Sequence, residues 1–359
     1  MILRQDVSRL LSAMSPERLS ALRGTHLLLT GGTGFLGSWL LELIAALNDR
    51  PGWVGTPCHV FIPTRDPDVF AARFPHLAQH PHFTFLRGDI LTFTPPALPC
   101  EWVLHAASPT DRRLVEQQPL EVLQTITAGM QRILALARDW QVKQLLFVSS
   151  GAVYGPQPFD CERLPESWPG APDVNIARSA YPEAKRLAET LCAIYRDKYA
   201  LDIVIARPFT FVGPYQTPDL GFAITDFIRD GLQHGELLIK GDGTTVRSYQ
   251  YGADAAYWLL VMLLAGHAGA YNVGSGEPIT MRDLAQKVIE RLDTLGLRSS
   301  VNLTMQSAMN GAASRYIPDV QRAQTELGLR AFFNLDQALD RTITWFATHY
   351  FGLPERELP

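Results

Sequence analysis

The chain has 359 residues, 47% of them hydrophobic and 19% charged, which is typical of a soluble protein with a full core and room for two lobes. Its formal net charge of −4 offers no globally basic surface, so we expect neither nucleic acid nor a membrane as a partner. The four cysteines are scattered without C-x-x-C spacing, which predicts no metal site and no disulfide framework.

The N-terminal segment, residues 1–23, mixes charged with apolar residues and lacks the apolar stretch of a signal peptide. Together with the absence of any run of membrane-spanning length, this leads us to expect a cytoplasmic protein. Ser15 and Pro16 are typical of a helix N-cap and first helical position. We therefore predict an N-terminal helical extension of one or two short helices that serves packing or subunit contact.

A glycine-rich turn follows the first predicted strand, residues 25–29. Gly31, Gly34 and Gly37 give the spacing G-x-x-G-x-x-G, and residues 35–47 then carry apolar side chains at helical spacing. The glycines thus lie where a strand passes into a helix, and backbone amides at such a place can face a pyrophosphate. A tight turn without a ligand has the same local sequence and stays open as the alternative.

Four more short apolar segments follow, each as long as a buried strand. They are residues 59–64, 83–86, 102–105 and 144–148, with a predicted helix over residues 120–140 between the last two. This alternation predicts an α/β fold built on a Rossmann-type, doubly wound parallel sheet. Ligands of such sheets bind at the carboxyl ends of the strands.

The pattern is less regular after the fifth predicted strand. A helix over residues 180–199 and a strand over residues 202–206 continue it, and later segments predict a smaller mixed α/β lobe for substrate. We therefore assign residues 24–206 mainly to a dinucleotide-binding domain. Residues 207–359 belong mainly to the substrate lobe, with segments interleaved between the two.

Tyr181 and Lys185 lie four positions apart, on one face of the predicted helix. A free tyrosine has a pKa of about 10 and is a poor base at neutral pH, but a neighbouring ammonium stabilises its phenolate. Such a pair can take a proton from a hydroxyl or return one to a ketone. The spacing also occurs by chance on solvated helices; here Ser149 and Ser150, at the end of a preceding strand, add hydroxyls at the same sheet edge.

The glycine turn, the serines at the end of a strand and the tyrosine–lysine pair follow one another along the chain. In this order of motifs the chain resembles the extended short-chain dehydrogenases/reductases, in particular the NAD(P)-dependent nucleotide-sugar epimerase/dehydratase group. The resemblance runs from about residue 24 to about residue 328. The motifs that carry it are T-G-G-T-G-F-L-G at 30–37, G-D-I at 88–90, H-A-A-S at 105–108, S-S-G-A-V-Y-G at 149–155, Y-P-E-A-K at 181–185, R-P-F-T-F-V-G-P at 207–214, G-D-G at 241–243 with Arg247, and N-V-G-S-G at 272–276.

The resemblance implies roles for individual residues. Ser150 would hydrogen-bond the reacting oxygen, Tyr181 would be the acid/base, and Lys185 would bind the nicotinamide ribose and tune the tyrosine. Arg247 would hold the diphosphate of a nucleotide-sugar substrate, which suits a guanidinium, and Asp89 would meet the adenine. The further positions implied are Gly31, Gly34, Phe35, Leu36, Gly37, Arg65, Ile90, Ala106, Ala107 and Pro208 for the cofactor, and Ser108 and Thr210 beside Ser150 for the substrate.

Departures from the family pattern narrow the reaction. Dehydratases and the related decarboxylases carry an acidic residue two positions before the tyrosine of the V-Y-G motif, where this chain has Ala152, preceded by Gly151. A 4,6-dehydratase is therefore not expected. Two reactions remain: 4-epimerisation through a transient 4-keto sugar, and NADPH-dependent reduction of a 4-keto nucleotide sugar. Thr210 stands where many members have an asparagine that contacts the nucleotide.

Two alternatives of other classes stay open. One is a dinucleotide-binding regulator without chemistry, although such proteins typically lack the serine, tyrosine or lysine that this chain retains. The other is a reductase of a small non-sugar carbonyl, against which the presence of Arg247 argues.

The cofactor is expected to be NAD or NADP, and the end of the second strand bears on the choice. An aspartate there binds the ribose diol of NAD, whereas an arginine suits the 2′-phosphate of NADP. The order Arg65-Asp66-Pro67 resembles the ending of NADP-using relatives and favours NADP; Asp66 or Asp68 on the diol is the alternative. The family also commonly forms a homodimer through a helix bundle that would include the predicted helix over 180–199.

Overall fold

The structure is a computed structural model that describes residues 2–50, 56–109, 112–298, 302–305 and 314–353. The strands are β1 (His26–Thr30), β2 (His59–Thr64), β3 (Phe83–Arg87), β4 (Trp102–His105), β5 (Gln144–Val148), β6 (Ile203–Pro208), β7 (Phe211–Val212), β8 (Glu236–Ile239), β9 (Val246–Arg247), β10 (Gln250–Tyr251), β11 (Gly269–Val273), β12 (Ile279–Thr280), β13 (Asn302–Met305) and β14 (Arg315–Tyr316). The helices are α1 (Ile2–Ala13), α2 (Pro16–Ala21), α3 (Phe35–Asn48), α4 (Pro67–Arg73), α5 (Pro75–Ala78), α6 (Arg112–Gln117), α7 (Pro119–Asp139), α8 (Ala180–Tyr199), α9 (Ala223–Gln233), α10 (Gly252–Leu264), α11 (Met281–Thr294), α12 (Gln321–Leu327) and α13 (Leu335–Phe351).

A seven-stranded parallel sheet forms the centre of the molecule, in the order β11-β6-β5-β4-β1-β2-β3. Helices cover both of its faces. Leu27 and Leu29 of β1 pack in the layer that contains α3 and α10, and Leu28 packs in the layer of α7 and α8. Because successive side chains point to opposite faces, a strand buried on both sides reads as a continuous apolar run. The predicted Rossmann-type α/β fold is confirmed.

The strand order reverses between β1 and β4. The chain builds β1, β2 and β3 outward to one edge, then returns so that β4 pairs with β1 on the opposite side. A crevice opens at the carboxyl ends of the two strands on either side of such a reversal, and ligands of doubly wound sheets bind there. The glycine turn follows β1 at this point, and residues 106–108 follow β4.

Most predicted elements have the predicted bounds within two residues. β2, β4, β5 and α8 agree residue for residue, β1 begins and ends one residue later than expected, and β6 continues two residues further, to Pro208. β11 lies in the central sheet although it belongs to the segment 207–359. Part of that segment therefore lies in the central sheet, while the division of the chain into two interleaved lobes stays a prediction.

The N-terminal helices are part of the folded body. Ser15 caps α2 by accepting a hydrogen bond from the amide of Arg18, with Pro16 at the start of the helix. The inner face of α1, including Val7 and Leu10, is buried in the same hydrophobic cluster as α3 and α10. The predicted packing role is thus what the structure shows for this extension.

Three small sheets lie in the C-terminal part. β10 pairs with β7, β8 with β13, and β9 lies between β12 and β14. The last sheet places Tyr316 directly beside Arg247, 69 positions earlier in the chain. No helix within the described parts of the chain is long and apolar enough to cross a bilayer.

Candidate active site

A cleft of about 1280 Å³ lies over the carboxyl edge of the central sheet, between the sheet and the small C-terminal sheets. This exceeds the usual 300–1,000 Å³ of a pocket for one drug-sized ligand, so the cleft has room for a dinucleotide and a second ligand. Every residue predicted for cofactor, substrate or catalysis lines it. They are Gly31, Gly34, Phe35, Leu36, Gly37, Arg65, Asp89, Ile90, Ala106, Ala107, Ser108, Ser150, Tyr181, Lys185, Pro208, Thr210 and Arg247.

The glycine turn forms the floor of the cleft where β1 passes into α3. Gly31 has a left-handed backbone with φ of +73°, and an added Cβ would lie 2.7 Å from the backbone of Ala106. A Cβ on Gly37 would lie 2.2 Å from the carbonyl oxygen of Gly31. The helix N-cap is Gly34, which has no side chain to satisfy the first amides of α3. A close, uncapped helix N-terminus of this kind fits the pyrophosphate of a dinucleotide.

The catalytic residues predicted from sequence come together at the centre of the cleft. The buried face of α8 includes Ala184, Ala188 and Cys192, and this helical spacing turns Lys185 inward with them. The Lys185 ammonium donates to the carbonyl oxygen of Val148 at 2.9 Å, which leaves two of its three protons for other acceptors.

Ser150 reaches the site from the end of β5. It is the N-cap of a short 3₁₀ helix, Gly151–Tyr154, and its hydroxyl accepts a hydrogen bond from the Ala152 amide at 3.1 Å. Across the cleft, the Ser108 hydroxyl is buried without a hydrogen-bond partner among the described residues. The same hydroxyl is close enough to the Tyr181 phenol to act on its pKa, so Ser108 belongs to the surroundings of the predicted acid/base.

Burial shifts the proton affinities of the central groups. The pKa of the Tyr181 phenol is raised because burial disfavours the phenolate, and the hydroxyls of Ser150 and Ser108 oppose this rise. Burial lowers the pKa of Lys185 to about 7, and the Glu189 carboxylate opposes that lowering. Lys185 therefore titrates near neutral pH, whereas burial by itself favours the protonated form of the Tyr181 phenol.

His105, on β4, is a buried group that favours its neutral form. Burial, together with the nearby Lys185 charge, lowers its pKa to about 3. Its Nδ1 forms a 2.7 Å hydrogen bond with the Thr30 hydroxyl, which ties the ends of β1 and β4 together.

The substrate side of the cleft contains two groups whose donors are partly used within the protein. Arg247 donates to the carbonyl oxygens of Val246 at 2.8 Å and Ser314 at 3.1 Å. The hydroxyl of Thr210 donates to the carbonyl oxygen of Ser248. Arg247 thus has a fixed orientation at the cleft, whereas the Thr210 hydroxyl is used by the backbone of Ser248, between β9 and β10.

Sequence reasoning missed Tyr316 of β14. Its ring stacks on Phe209 with centroids 4.4 Å apart, and its hydroxyl lies 2.5 Å from where a Cβ on Gly151 would stand. It lines the cleft together with Ser150 and Tyr181. No local pattern marks this tyrosine, because β14 has two residues and reaches the site through its pairing with β9.

Arg65 and Asp66 line the cleft directly after β2. Asp66 is the N-cap of α4, and its Oδ1 accepts from the amides of Asp68 and Val69, each at 3.2 Å. Asp89, after β3, likewise accepts from the amide of Leu91 at 2.9 Å. Arg65 is exposed on the wall of the cleft.

No group of three or more His, Cys, Asp or Glu side chains within the described ranges could hold a metal ion. Two histidines of the segment before β3 have carboxylate neighbours instead. The His76 Nε2 lies 2.7 Å from the Glu42 carboxylate, and the His80 Nε2 lies 3.6 Å from that of Asp49.

The sequence profile described as the NAD dependent epimerase/dehydratase family matches residues 27–274 of the chain, which is more than half of it. The protein belongs to this family. It is an enzyme of the extended short-chain dehydrogenase/reductase type, as the ordered motifs predicted.

Curated relatives span most of the chain. UDP-glucuronic acid decarboxylase 2 of Arabidopsis thaliana is 28% identical over 330 residues, covering 92% of this chain and 70% of the relative. UDP-glucuronic acid decarboxylase 1 of Danio rerio is 28% identical over 324 residues, covering 90% and 72%.

Solved structures share the fold over nearly their whole length. A UDP-N-acetylglucosamine 4-epimerase from Methanobrevibacter ruminantium M1 superposes with a TM-score of 0.76 at 22% identity, covering 91% of this chain and 99% of that one. DesIV, a dTDP-glucose 4,6-dehydratase from Streptomyces venezuelae with NAD and TYD bound, gives 0.73 at 27% identity, covering 91% and 98%. The chain is thus similar to decarboxylases, epimerases and dehydratases alike, and the reaction must be argued from its own residues.

Proposed function

We propose that this enzyme is a nucleotide-sugar 4-epimerase that works through a transient 4-keto sugar. The observation that carries the proposal is the arrangement of Ser150, Tyr181 and Lys185 at the carboxyl edge of the sheet, without a carboxylate at positions 151 and 152. Epimerisation at C4 needs one acid/base and a reversible hydride acceptor, whereas dehydration and decarboxylation need further proton transfer at a neighbouring carbon.

The neighbourhood of Gly151 supports the choice against decarboxylation and dehydration. An added Cβ would lie 2.5 Å from the Tyr316 hydroxyl and 2.6 Å from the Phe209 ring, so a side chain at position 151 would require Tyr316 and Phe209 to shift. The next residue, Ala152, has no ionisable group. Although the curated relatives are named decarboxylases, positions 151 and 152 of this chain lack the acidic residue expected of decarboxylases.

In the proposed mechanism the residues act on the C4 oxygen of the sugar. Tyr181 takes the C4 hydroxyl proton and later returns it, and Lys185 stabilises the phenolate by its charge. Ser150 hydrogen-bonds the same oxygen, and Arg247 holds the substrate diphosphate. A nicotinamide dinucleotide, when bound along the glycine turn, supplies the hydride acceptor and donor. The cleft must let the keto sugar present its other face before hydride returns.

Incubation with UDP- and dTDP-hexoses, followed by proton NMR of the sugar anomeric signals, tests the proposal. We expect a C4 epimer to accumulate to equilibrium with no net change in cofactor redox state. Tyr181→Phe should lower kcat about 10²- to 10⁴-fold while dinucleotide affinity stays within a few-fold, because the phenol acts only in proton transfer. Turnover of no nucleotide sugar would contradict the proposal, and a Tyr181→Phe variant that retains the physiological function would favour a non-catalytic regulator.

NADPH-dependent reduction of a 4-keto nucleotide sugar is the second candidate function. The residues after β2, Arg65 and Asp66, favour it because they bear on the choice of cofactor. The carboxylate of Asp66 caps α4 by accepting two amides, while Arg65 is exposed on the wall of the cleft, where it can contact a 2′-phosphate. This supports NADP as the cofactor, although several structural neighbours were crystallised with NAD. A reductase would consume NADPH in proportion to the product formed, whereas an epimerase would not.

The cofactor proposal has its own test. Arg65→Ala should weaken NADP⁺ binding about tenfold or more, because it removes the cation expected at the 2′-phosphate, and should change NAD⁺ binding less than threefold. Isothermal titration calorimetry with both dinucleotides measures this. Tighter binding of NAD⁺ than of NADP⁺ by the unaltered protein would contradict the NADP assignment. The same calorimetry with a UDP-sugar on Arg247→Ala separates a nucleotide-sugar enzyme from a reductase of small carbonyls.

We also propose a cytoplasmic homodimer that pairs through α7 and α8. Leu187 and Ile194 of α8 are 48% and 41% exposed, and Leu120 of α7 is 76% exposed, which gives these helices an apolar outer surface. Four cysteines without partners are consistent with a reducing compartment. Analytical ultracentrifugation of the unaltered chain and of Leu187→Glu tests the dimer.

A further inference from the structure

Glu189 lies on α8 one turn after Lys185, and its side chain is only 12% exposed. Its Oε1 accepts hydrogen bonds from the Ser149 hydroxyl at 2.6 Å and from Arg207 Nε at 3.0 Å. Its Oε2 accepts from Arg207 Nη2 at 2.6 Å. One carboxylate thus joins the catalytic helix to the end of β5 and to β6.

This contact bears directly on the serine of the site, because Ser149 is the residue before Ser150. The other donors of Arg207 are used as well: Nη1 donates to the Tyr154 hydroxyl at 2.9 Å and to the Glu166 carbonyl oxygen at 3.1 Å. Hydrogen bonds of Glu189 and Arg207 therefore hold the 3₁₀ helix Gly151–Tyr154 at both ends. Glu189 is the side chain through which this network is attached to α8.

Among the described residues, one carboxylate acts on the Lys185 ammonium, that of Glu189 one helical turn further along α8. From β5 it meets the Val148 carbonyl oxygen at 2.9 Å and the Phe147 ring at 5.0 Å, and from its own helix the Tyr181 ring at 5.9 Å. His105 faces it from β4 and is neutral. Among the described residues, Glu189 is the carboxylate that acts on Lys185, with Arg207 bound on its other side.

We propose that Glu189 is a positioning residue for the catalytic set: its carboxylate fixes the Ser149–Ser150 segment against α8 and provides the counter-charge of the Lys185 ammonium. The inference rests on the proposed function only for the roles of Ser150, Tyr181 and Lys185. Loss of this carboxylate would favour the neutral form of the buried Lys185 amine, and a neutral amine does not stabilise a phenolate.

Lysine NMR tests this without substrate or cofactor. The chain has five lysines, Lys143, Lys185, Lys198, Lys240 and Lys287, so ¹³C-labelled lysine side chains give few signals, and Lys185→Met identifies the one of interest. We expect the Lys185 signal to titrate near pH 7 in the unaltered protein. In Glu189→Gln it should titrate about one pH unit lower or more, as expected for loss of a unit charge about one helical turn away.

Glu166→Gln is the matched control. Its carboxylate accepts from the Asn272 amide at 2.8 Å in the same region but does not act on Lys185. This variant should leave the Lys185 titration unchanged. Once a nucleotide-sugar substrate is in hand, the pH profile of kcat should move to lower pH in Glu189→Gln and remain in place in Glu166→Gln, which a merely structural role of Glu189 would not produce.

An unchanged Lys185 titration in folded Glu189→Gln would overturn the inference. If Glu189→Gln does not fold, Glu189→Asp replaces it as the test variant. The aspartate retains the negative charge, but its shorter side chain places that charge further from Lys185. The Lys185 titration should therefore move in the same direction by a smaller amount, and no movement would contradict the proposal. Neither result depends on turnover. Failure of the NMR test leaves the proposed epimerase intact, and failure to turn over nucleotide sugars leaves the NMR result standing.

Discussion

Gly31 shows how one residue can be required both for the fold and for the ligand. Its φ of +73° disfavours any residue with a Cβ, and that Cβ would lie 2.7 Å from the backbone of both Ala106 and Ala107. Backbone atoms at the end of a central strand cannot move aside cheaply. We expect Gly31→Ala to lower the free energy of unfolding by about 2–4 kcal/mol and to weaken dinucleotide binding at least tenfold. Urea unfolding and calorimetric titration with NAD⁺ and NADP⁺ measure the two effects.

Gly266 provides the control for this substitution. Its φ is +69°, nearly that of Gly31, but no atom lies within 4 Å of the position of an added Cβ. Gly266→Ala therefore incurs only the backbone cost, about 1 kcal/mol, and should not change dinucleotide affinity. Equal losses of stability in the two variants would show that the contact with the end of β4 is unimportant.

At the scale of elements, the parallel sheet could be predicted and the contacts between distant elements could not. β2, β4 and β5 read as short apolar runs because both of their faces are buried, and α8 reads as a helix because its apolar residues recur at helical spacing. Tyr316 had no such signal, since it enters the cleft by pairing with Arg247 far earlier in the chain. Glu189 lies in a predicted helix, but Arg207 lies one residue beyond the predicted end of β6, and their ion pair depends on the packing of α8 on β6.

The functional residues divide in the same way. Ser150, Tyr181, Lys185 and the glycine turn stand in short motifs of fixed spacing, so their placement at one cleft could be predicted before any geometry was available. Their roles in binding and catalysis stay predictions. Asp66 shows what spacing alone cannot tell: a carboxylate in the right place for a ribose diol is used as the N-cap of α4.

Histidines line the amino-terminal edge of the sheet, opposite the cleft. The His59 ring on β2 lies 6.3 Å from that of His26 on β1 and 6.5 Å from that of His82, just before β3. Burial, with smaller contributions from His26 and His82, lowers the pKa of His59. Because its pKa in the folded state lies below that in the unfolded state, His59 contributes stability that is complete above about pH 6.5 and is lost as the pH falls through the folded-state pKa.

We expect His59→Gln to reduce the loss of stability between about pH 6.5 and 5, by at most about 1.4 kcal/mol per pH unit, the limit for a single proton. Urea unfolding at half-unit pH steps measures this slope. His234, exposed after α9, provides the control, and His234→Gln should leave the slope unchanged. A slope unaltered in His59→Gln would assign the acid sensitivity to other groups, among them the buried His105.

At the scale of the whole molecule, the two ends of the described chain are joined by a buried ion pair. Arg341 on α13 donates through Nε to the carboxylate of Asp6 on α1, with both oxygens at 2.9 Å, and the Tyr251 hydroxyl donates to the same carboxylate at 2.8 Å. The side chains of Asp6 and Arg341 are 2% and 15% exposed. The segment before β1 is thereby part of the core that supports α10 and the glycine-turn helix α3.

Removing one partner of this pair should destabilise the protein far more than removing a partner of a surface pair. Arg341→Met leaves the Asp6 carboxylate buried without its counter-ion, and burial already raises the pKa of Asp6. We expect a loss of about 3–5 kcal/mol at pH 7, measured by urea unfolding. The exposed pair of Arg87 and Asp68 is the control, since Arg87→Met should cost less than about 1 kcal/mol.

The double variant Asp6→Leu/Arg341→Met distinguishes the two sources of that loss. If the cost of Arg341→Met comes from an uncompensated charge, replacing the carboxylate by an apolar side chain should restore much of the stability, because the desolvation cost disappears with the charge. The single variant should also lose less at pH 5 than at pH 7, since protonation of Asp6 relieves the same cost. A double variant no more stable than Arg341→Met would instead assign the loss to the packing of the arginine stem and its contact, 4.8 Å, with the Phe333 ring.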